Sequence, residues 1–303
     1  MKISELRSFF YTQLASLYEK QEIDAIFFTY IYYKYDISKH RYFLNPEVRC
    51  EVQGTRCDLK NLANGCPIQY VLGKTTFYNL EFHVNPSVLI PRPETEELVE
   101  NILKSTRFLT TFGMTSPSNF EGVAPIYRSR GSLYRILDLC TGSGAIAIAL
   151  AKNINNAAVW ATDNSETALN TAQKNAALNN AEITFLHHDI LKDGIANLPD
   201  NFDIIVSNPP YIPQSESINM HKNVVDFEPE AALFVPEENP LLFYDAIAHI
   251  AKKNLRTGGI LYVEIHEKFH FELSEMLAKL DFKEIKLWND INGKPRFISC
   301  KKL

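Results

Sequence analysis

Asp138-Leu-Cys-Thr-Gly-Ser-Gly144 is the stretch whose reading decides the fold. The short apolar segment Ile136 to Leu139 runs into it, and the apolar run Ala145 to Ala151 leaves it. Gly142, Gly144 and Ala147 fit G-x-G-x-x-A, a strand-to-helix turn that lets a ligand come close to the backbone. Asp163 stands 19 residues after Gly144, where an acid can accept protons from two ribose hydroxyls. Both features serve any adenosine ligand and do not separate a nicotinamide dinucleotide from another. The competing role for Asp163 is that of N-cap for the helix near Glu166.

Outward from this loop, strand, turn and helix repeat. Ile136 to Leu139, Ala158 to Ala161, Ile183 to Leu186, Phe202 to Val206 and Ile260 to Ile265 read as strands. Glu166 to Leu178 and Leu241 to Leu255 read as helices between them. This alternation predicts an α/β fold with a mostly parallel sheet and right-handed crossovers. Lys283 to Leu287 and Arg296 to Cys300 are suited to close the sheet as a terminal hairpin. Polar signals follow four successive strands: the glycine loop, Asp163, Asp189 and Asn208-Pro-Pro-Tyr211. Ligands bind at that edge of open α/β sheets.

Asn208-Pro209-Pro210-Tyr211 narrows the chemistry. A hydride-transfer enzyme has no use for it, whereas it suits the gripping of a planar NH2 group. The Asn208 side-chain oxygen accepts one N–H, and the carbonyl of Pro209 accepts the other. The two prolines stiffen the loop, and Tyr211 offers an aromatic face.

The flanking segments differ. Leu6, Phe9, Phe10, Gln13, Leu14 and Leu17, then Ile23, Ile26, Phe27, Tyr30, Ile31 and Lys34, recur at helical steps, so residues 1–75 are expected to be a small helical domain. Phe77 to Leu89 partly alternate, with Asn79 and Asn85-Pro86 as turn signals, so a β-hairpin linker is expected over 76–90. Pro91-Arg-Pro-Glu94 then opens a helix with prolines and acids in its first turn, and the main domain is expected over 91–303. Half of residues 104–133 are Gly, Pro, Ser, Thr or Asn, and an exposed loop is expected there.

Composition excludes several classes. The chain has 303 residues, 46% hydrophobic and 22% charged, which is globular. Its formal net charge of −5, without a dense basic run, disfavours a protein that grips a nucleic-acid backbone. No apolar run approaches the roughly 20 residues of a membrane-spanning helix, and no secretory signal is expected. The five cysteines show no CxxC pair and read as free thiols of a cytoplasmic protein.

Pro67-Ile-Gln-Tyr-Val-Leu-Gly73, Phe77-Tyr78, Val88-Leu-Ile-Pro-Arg-Pro-Glu-Thr-Glu96, the loop Asp138 to Gly144 and Asn208 to Tyr211 together carry a resemblance. The chain resembles the PrmC/HemK family of glutamine methyltransferases, which use S-adenosylmethionine (SAM) to methylate N5 of the GGQ glutamine in class I peptide chain release factors. The segment Pro91 to Glu96 joined to the Asn-Pro-Pro-Tyr motif is specific to that group. The resemblance implies a seven-stranded Rossmann-like SAM-dependent methyltransferase domain, a small N-terminal all-α domain and a β-hairpin linker. It implies SAM as cofactor, with Thr141, Gly142 and Gly144 at the methionine end, Asp163 at the ribose, and Asp189 with Ile190 at the adenine. Asp138, Cys140, Ser143, Asn164 and Asn208 complete the expected cofactor set. Asn208, Pro209, Pro210 and Tyr211 would form the catalytic motif around the substrate amide, with Pro91, Arg92 and Glu94 as candidates to close the pocket. A release factor is the implied partner, with no stable nucleic acid, no membrane and no metal, and a monomer is the default. Cys140 and His266 stand where many members carry glycine, and the stretch 104–133 is longer than the family leads one to expect.

Asn-Pro-Pro-Tyr also serves N6-adenine methyltransferases of DNA or RNA, because an exocyclic amine poses the same geometric problem. That alternative requires base extraction and a polyanion groove, which the net charge opposes. His266-Glu-Lys-Phe-His270 fits H-E-x-x-H, a zinc motif that needs both histidines on one helix. Here it directly follows a strand, so a loop-to-helix junction is expected instead. His187 and His188 are expected to be structural, and Asn223 and Glu228-Pro229 to shape the pocket or simply the loop.

Overall fold

A computed structural model describes residues 2–45, 47, 49, 54–111 and 133–303. The chain opens with helices α1 (Ile3–Leu14), α2 (Lys20–Tyr35), α3 (Lys39–Leu44), α4 (Thr55–Ala63) and α5 (Ile68–Leu72). Leu6, Phe10 and Leu14 of α1 meet Ile23, Phe27, Tyr30 and Ile31 of α2 in one apolar core. The Phe10 and Phe27 rings meet edge to face at 5.4 Å. The buried stripe of α1 is narrower than its periodicity suggests: Gln13 and Leu17 face solvent, and Tyr18 closes the core instead.

The hairpin lies earlier than expected. Strands β1 (Lys74–Phe77) and β2 (Leu80–His83) pair antiparallel, with Phe77 opposite Leu80. Tyr78 and Asn79 both have positive φ, the geometry of the two-residue turn that matches strand twist. Tyr78 is bulky for that region, and α6 (Pro93–Thr111) holds it there. Glu96 accepts from its backbone N–H at 2.9 Å and Glu100 from its hydroxyl at 2.5 Å. Asn85-Pro86 lies outside both strands.

Helix α6 also corrects the expected loop over 104–133, because it continues to Thr111. Leu98, Val99, Ile102 and Leu103 anchor it in the core. Ser105 and Thr106 are polar yet buried, and their hydroxyls donate to the carbonyls of Ile102 and Leu103. The remainder of that expected loop, residues 112–132, lies outside the described residues.

The main sheet comprises β3 (Tyr134–Leu139), β4 (Ala157–Asp163), β5 (Ile183–His187), β6 (Phe202–Ser207), β9 (Leu255–Glu264), β10 (Lys283–Asn289) and β11 (Pro295–Lys301). Its seven strands run in the order β10-β11-β9-β6-β3-β4-β5. Neighbours from β9 to β5 are parallel, and β11 is antiparallel to both β9 and β10. Helices α7 (Ala145–Asn153), α8 (Glu166–Leu178), α11 (Leu242–Asn254) and α12 (His270–Lys279) cover the sheet. Two apolar cores result, one around Ile136, Ile148 and Ile204, the other around Leu137, Ile205 and Ile247. Between β6 and β9 the chain also forms β7 (Ile212–Pro213), α9 (Lys222–Val225), α10 (Glu230–Leu233) and β8 (Phe234–Val235). From β3 the chain winds outward to β5 and then returns to β6 on the other side. That reversal opens a crevice at the carboxyl ends of β3 and β6. Among the described residues no helix is long and apolar enough to cross a membrane.

Candidate active site

The glycine loop is shaped by conformations that side chains resist. Cys140, Gly142 and Gly144 all have positive φ. An added Cβ at Gly142 would meet nothing within 4 Å, because this glycine opens onto the crevice. At Gly144 a Cβ would approach both Ala172 of α8 and Ile148 of α7 to 3.1 Å, so glycine lets the helix pack against the loop. Asp138 braces the loop from behind. Its Oδ2 accepts from the Thr141 hydroxyl at 2.6 Å and the Ala147 N–H at 3.2 Å. Burial pushes this carboxyl up to about 7, against those two hydrogen bonds. Its Oδ1 is buried without a hydrogen-bond partner among the described residues. Asn175 of α8 ties the loop to the hairpin: its Nδ2 donates to the carbonyls of Ser143 and His83, and its Oδ1 accepts from the His83 N–H.

Asp163 ends β4 and turns to the loop. Its Oδ2 accepts from the Gly142 N–H at 2.8 Å and its Oδ1 from the Ser165 N–H at 3.0 Å. Ser165, not Asp163, caps α8, accepting from the Ala168 N–H. Burial raises the Asp163 carboxyl above its usual range, partly offset by the backbone donors. Asp189 lies past β5, where its partial burial is outweighed by Lys192 at 2.9 Å and the Leu191 N–H, so its pKa is lowered. The histidines beside it are partnered: His187 Nε2 meets the Asn164 carbonyl and His188 Nε2 that of Gly194.

Asn208 follows β6 directly, and β6 is locked to β3 by the Ser207 hydroxyl donating to the Leu139 carbonyl. Asn208 Nδ2 donates to Thr95 Oγ1 at 3.3 Å, which commits the NH2 edge and leaves Oδ1 as acceptor. The Thr95 hydroxyl donates onward to Glu264 Oε2 at 2.7 Å, and the Tyr211 hydroxyl donates to Glu264 Oε1 at 3.1 Å. Burial and the Glu264 charge push the Tyr211 phenol far up, so it stays protonated and keeps donating. Arg92 reaches across to Glu228 at 2.5 Å, and Glu228 also accepts from the Ile90 N–H.

One crevice gathers most of the residues singled out in the sequence. Pro91, Arg92, Cys140, Thr141, Gly142, Ser143, Asp163, Asn164, Asp189, Ile190, Asn208 and Pro210 line it. Asp138, Gly144, Pro209, Tyr211 and Glu94 do not line it. Pro229 lines it, and so do Phe77, Thr95 and Phe243, which were not singled out as site residues. Thr95 lies inside a quoted motif, and Glu264 is the one charged side chain ending an otherwise apolar strand segment; that acid was the available signal. His266 lies past the end of β9 while His270 starts α12, so the two do not share a helix face.

These residues fit SAM. The Asp163 carboxylate is bonded to the glycine loop, a glycine whose Cβ would meet nothing within 4 Å opens the wall, and a buried Asp138 carboxylate oxygen without a hydrogen-bond partner among the described residues lies beside that loop. SAM carries diol and ammonium groups that donate, and a cationic sulfonium, all suited to those acceptors.

Comparison with known proteins agrees. The Methyltransferase small domain family matches residues 129–229. Over 301 residues the chain is 42% identical to the release factor glutamine methyltransferase of Flavobacterium psychrophilum, covering 98% of each chain. It is 41% identical over 237 residues to the protein of the same name from Bacteroides thetaiotaomicron, covering 78% of this chain and 76% of that one. Among solved structures, a Thermus thermophilus 16S rRNA methyltransferase in complex with AdoMet and guanosine superposes with a TM-score of 0.50 at 19% identity. It covers 76% of this chain and 50% of its own, and shows the shared fold.

Proposed function

Because this chain belongs to the release factor glutamine methyltransferase family, we propose that it methylates N5 of the GGQ glutamine in class I peptide chain release factors. The enzyme is a SAM-dependent protein-glutamine methyltransferase. The observation that supports the substrate is the oriented Asn208 amide, whose NH2 edge is bonded to Thr95 and whose Oδ1 stands ready to accept an N–H.

A primary amide nitrogen is a poor nucleophile, since its lone pair is shared with the carbonyl. The rotation barrier of about 18–20 kcal/mol measures that sharing. SAM supplies, when bound, a methyl group activated by a sulfonium. The protein's part is orientation and polarisation. Asn208 Oδ1, on the crevice wall, accepts one N–H bond of the glutamine, and the Pro209 carbonyl, which does not line the crevice before substrate binds, is the acceptor offered for the other; the two together return density to nitrogen and fix its lone pair. Orientation of two reactants is worth up to roughly 7–11 kcal/mol. The nitrogen becomes positive as it is methylated, so acceptors and an aromatic face stabilise the transition state. No general base acts beforehand, because the methylated amide is acidic enough to lose its proton to water.

In this reading the N-terminal helices α1 to α5 meet the protein substrate, the hairpin of β1 and β2 links them to the rest, and the residues from 91 onward carry the chemistry. Thr141, Gly142 and Gly144 shape the methionine end of the SAM site, Asp163 the ribose and Asp189 with Ile190 the adenine. The test is methyl transfer from labelled SAM to a purified class I release factor, beside its GGQ glutamine-to-alanine variant and a duplex DNA. Label on the wild-type factor alone is expected. Label on DNA alone would assign the same chemistry to adenine.

A further inference from the structure

Glu264 does not touch the crevice, yet both polar side chains of the Asn-Pro-Pro-Tyr motif depend on it. It ends β9, whose Val263 pairs with Ser207 of β6, the residue before Asn208. Its carboxylate is buried and accepts from Thr95 and from Tyr211. Burial raises its carboxyl above the usual range, and the hydrogen bonds from Thr95 and Tyr211, with the positive charge of Arg296 on the adjoining β11 where Phe297 pairs with Glu264, offset only part of that rise. Asp290 holds that guanidinium at 3.3 Å.

Hydrogen-bond direction runs one way along this chain of groups. A carboxylate can only accept. The Thr95 hydroxyl has one proton and gives it to Glu264, so toward Asn208 it offers only a lone pair. Asn208 must then present its NH2 edge to Thr95, and its carbonyl oxygen is left for the crevice. Were the amide reversed, its NH2 would face the NH2 of the substrate, donor against donor. The same carboxylate fixes the Tyr211 ring through its hydroxyl, while His266 packs against that ring edge to face at 6.1 Å.

We propose that Thr95 and Glu264 are positioning residues, which set the orientation of the Asn208 amide and the Tyr211 ring for the substrate glutamine. This inference rests on the function proposed above. Neither residue touches the reacting atoms; each acts through the motif. The oriented acceptor matters most as the nitrogen gains positive charge, so its loss belongs in kcat.

The test compares Thr95→Val, which keeps the shape and removes the hydroxyl, with Thr95→Ser, which keeps the hydroxyl and removes a methyl. Both are assayed as full-length enzyme with labelled SAM and a class I release factor, and their melting temperatures are recorded. Thr95→Val should lower kcat about tenfold, the rate equivalent of one ordinary hydrogen bond, with KM for SAM within about twofold. Thr95→Ser should return kcat to within about threefold of wild type, the rescue that a hydroxyl role requires. Glu264→Gln, read on the same terms, covers the case in which Thr95→Val does not fold. Its amide can donate to Thr95, which frees the Thr95 proton to reverse Asn208, and kcat should again fall about tenfold. Equal losses in the valine and serine variants, an effect confined to KM for SAM, or wild-type kcat in Glu264→Gln would each overturn the positioning role. A wild-type enzyme that labels no release factor overturns the function itself and the inference with it.

Discussion

Two glycines in one loop should fail in different ways when each is given a single methyl group. Gly144 has φ +82, and its Cβ would come within 3.1 Å of Ala172 and Ile148, and 3.4 Å of the Ala172 Cα. The left-handed backbone costs an L-residue about 1–2 kcal/mol, and overpacking of a close-packed contact costs about 1–3 more. Gly144→Ala should therefore destabilise the fold by roughly 2–5 kcal/mol, where each kcal/mol moves the melting midpoint by about 2–4 °C in a domain of this size. Gly142 has φ +54 and no heavy atom within 4 Å of its Cβ position. Only the backbone term applies, so Gly142→Ala should cost about 1–2 kcal/mol. Its new methyl, however, projects into the crevice beside the Asp163 carboxylate, which bonds its N–H. SAM affinity should fall about tenfold or more in Gly142→Ala, about the loss expected when one good contact is excluded. Urea titration reports the first quantity, and calorimetric titration with SAM, on protein folded at the assay temperature, reports the second. Stability losses in the reverse order, or full SAM affinity in Gly142→Ala, would refute the reasoning that separates a packing glycine from a ligand-facing one.

Asn208→Ala should lower kcat by about 10²–10³, as loss of one oriented transition-state partner does, while SAM titrates with wild-type affinity; near-normal turnover would remove Asn208 from the chemistry. Arg92→Ala strands the Glu228 carboxylate, whose side chain is 1% exposed, but Arg92 itself is 34% exposed. The destabilisation should accordingly be about 2 kcal/mol and not the full value for a deeply buried pair. Adding Glu228→Gln should recover part of it in a double-mutant cycle by urea unfolding, because no charge is then left unpaired. Asp138 is raised by burial from 3.8 to about 7, so the folded state holds a proton that the unfolded chain releases first. Its contribution is complete below about pH 4 and is lost as pH rises through about 7. Urea midpoints at about pH 5 and 7.5 should thus decline less with rising pH in Asp138→Asn than in wild type, both without SAM, and identical slopes would contradict the assignment.

The parts of this fold that could be read from sequence are those with a local cause. Parallel strands buried on both faces show as apolar runs, and Phe202 to Ser207 is buried at every position. Helix α8 is marked at its start by Ser165 and by helix-forming residues throughout, and its bounds coincide with those expected. Where polar side chains satisfy themselves at short range, composition misleads. Ser105 and Thr106 looked like loop residues, but their hydroxyls bond carbonyls one turn back and the helix continues. The hairpin lies earlier than its alternation predicts for a related reason: its turn requires Tyr78 at positive φ, which Glu96 and Glu100 of the following helix sustain.

The motif residues at the crevice were legible because each must stand at a strand end to meet a ligand, and the strands themselves were visible. The residues that orient them were not, since nothing local requires them. Thr95 and Glu264 are 169 residues apart in sequence, and Asn175 lies 92 from the His83 it clamps. Such polar groups are tolerated in the interior only when every partner arrives, so their identity is set by the finished packing and not by the segment that carries them. A threonine in the first turn of a helix and a glutamate at the end of a strand are individually unremarkable. Their effect appears only when the sheet brings β6 and β9 side by side, so that one acceptor-only carboxylate dictates which edge of a distant amide faces the substrate.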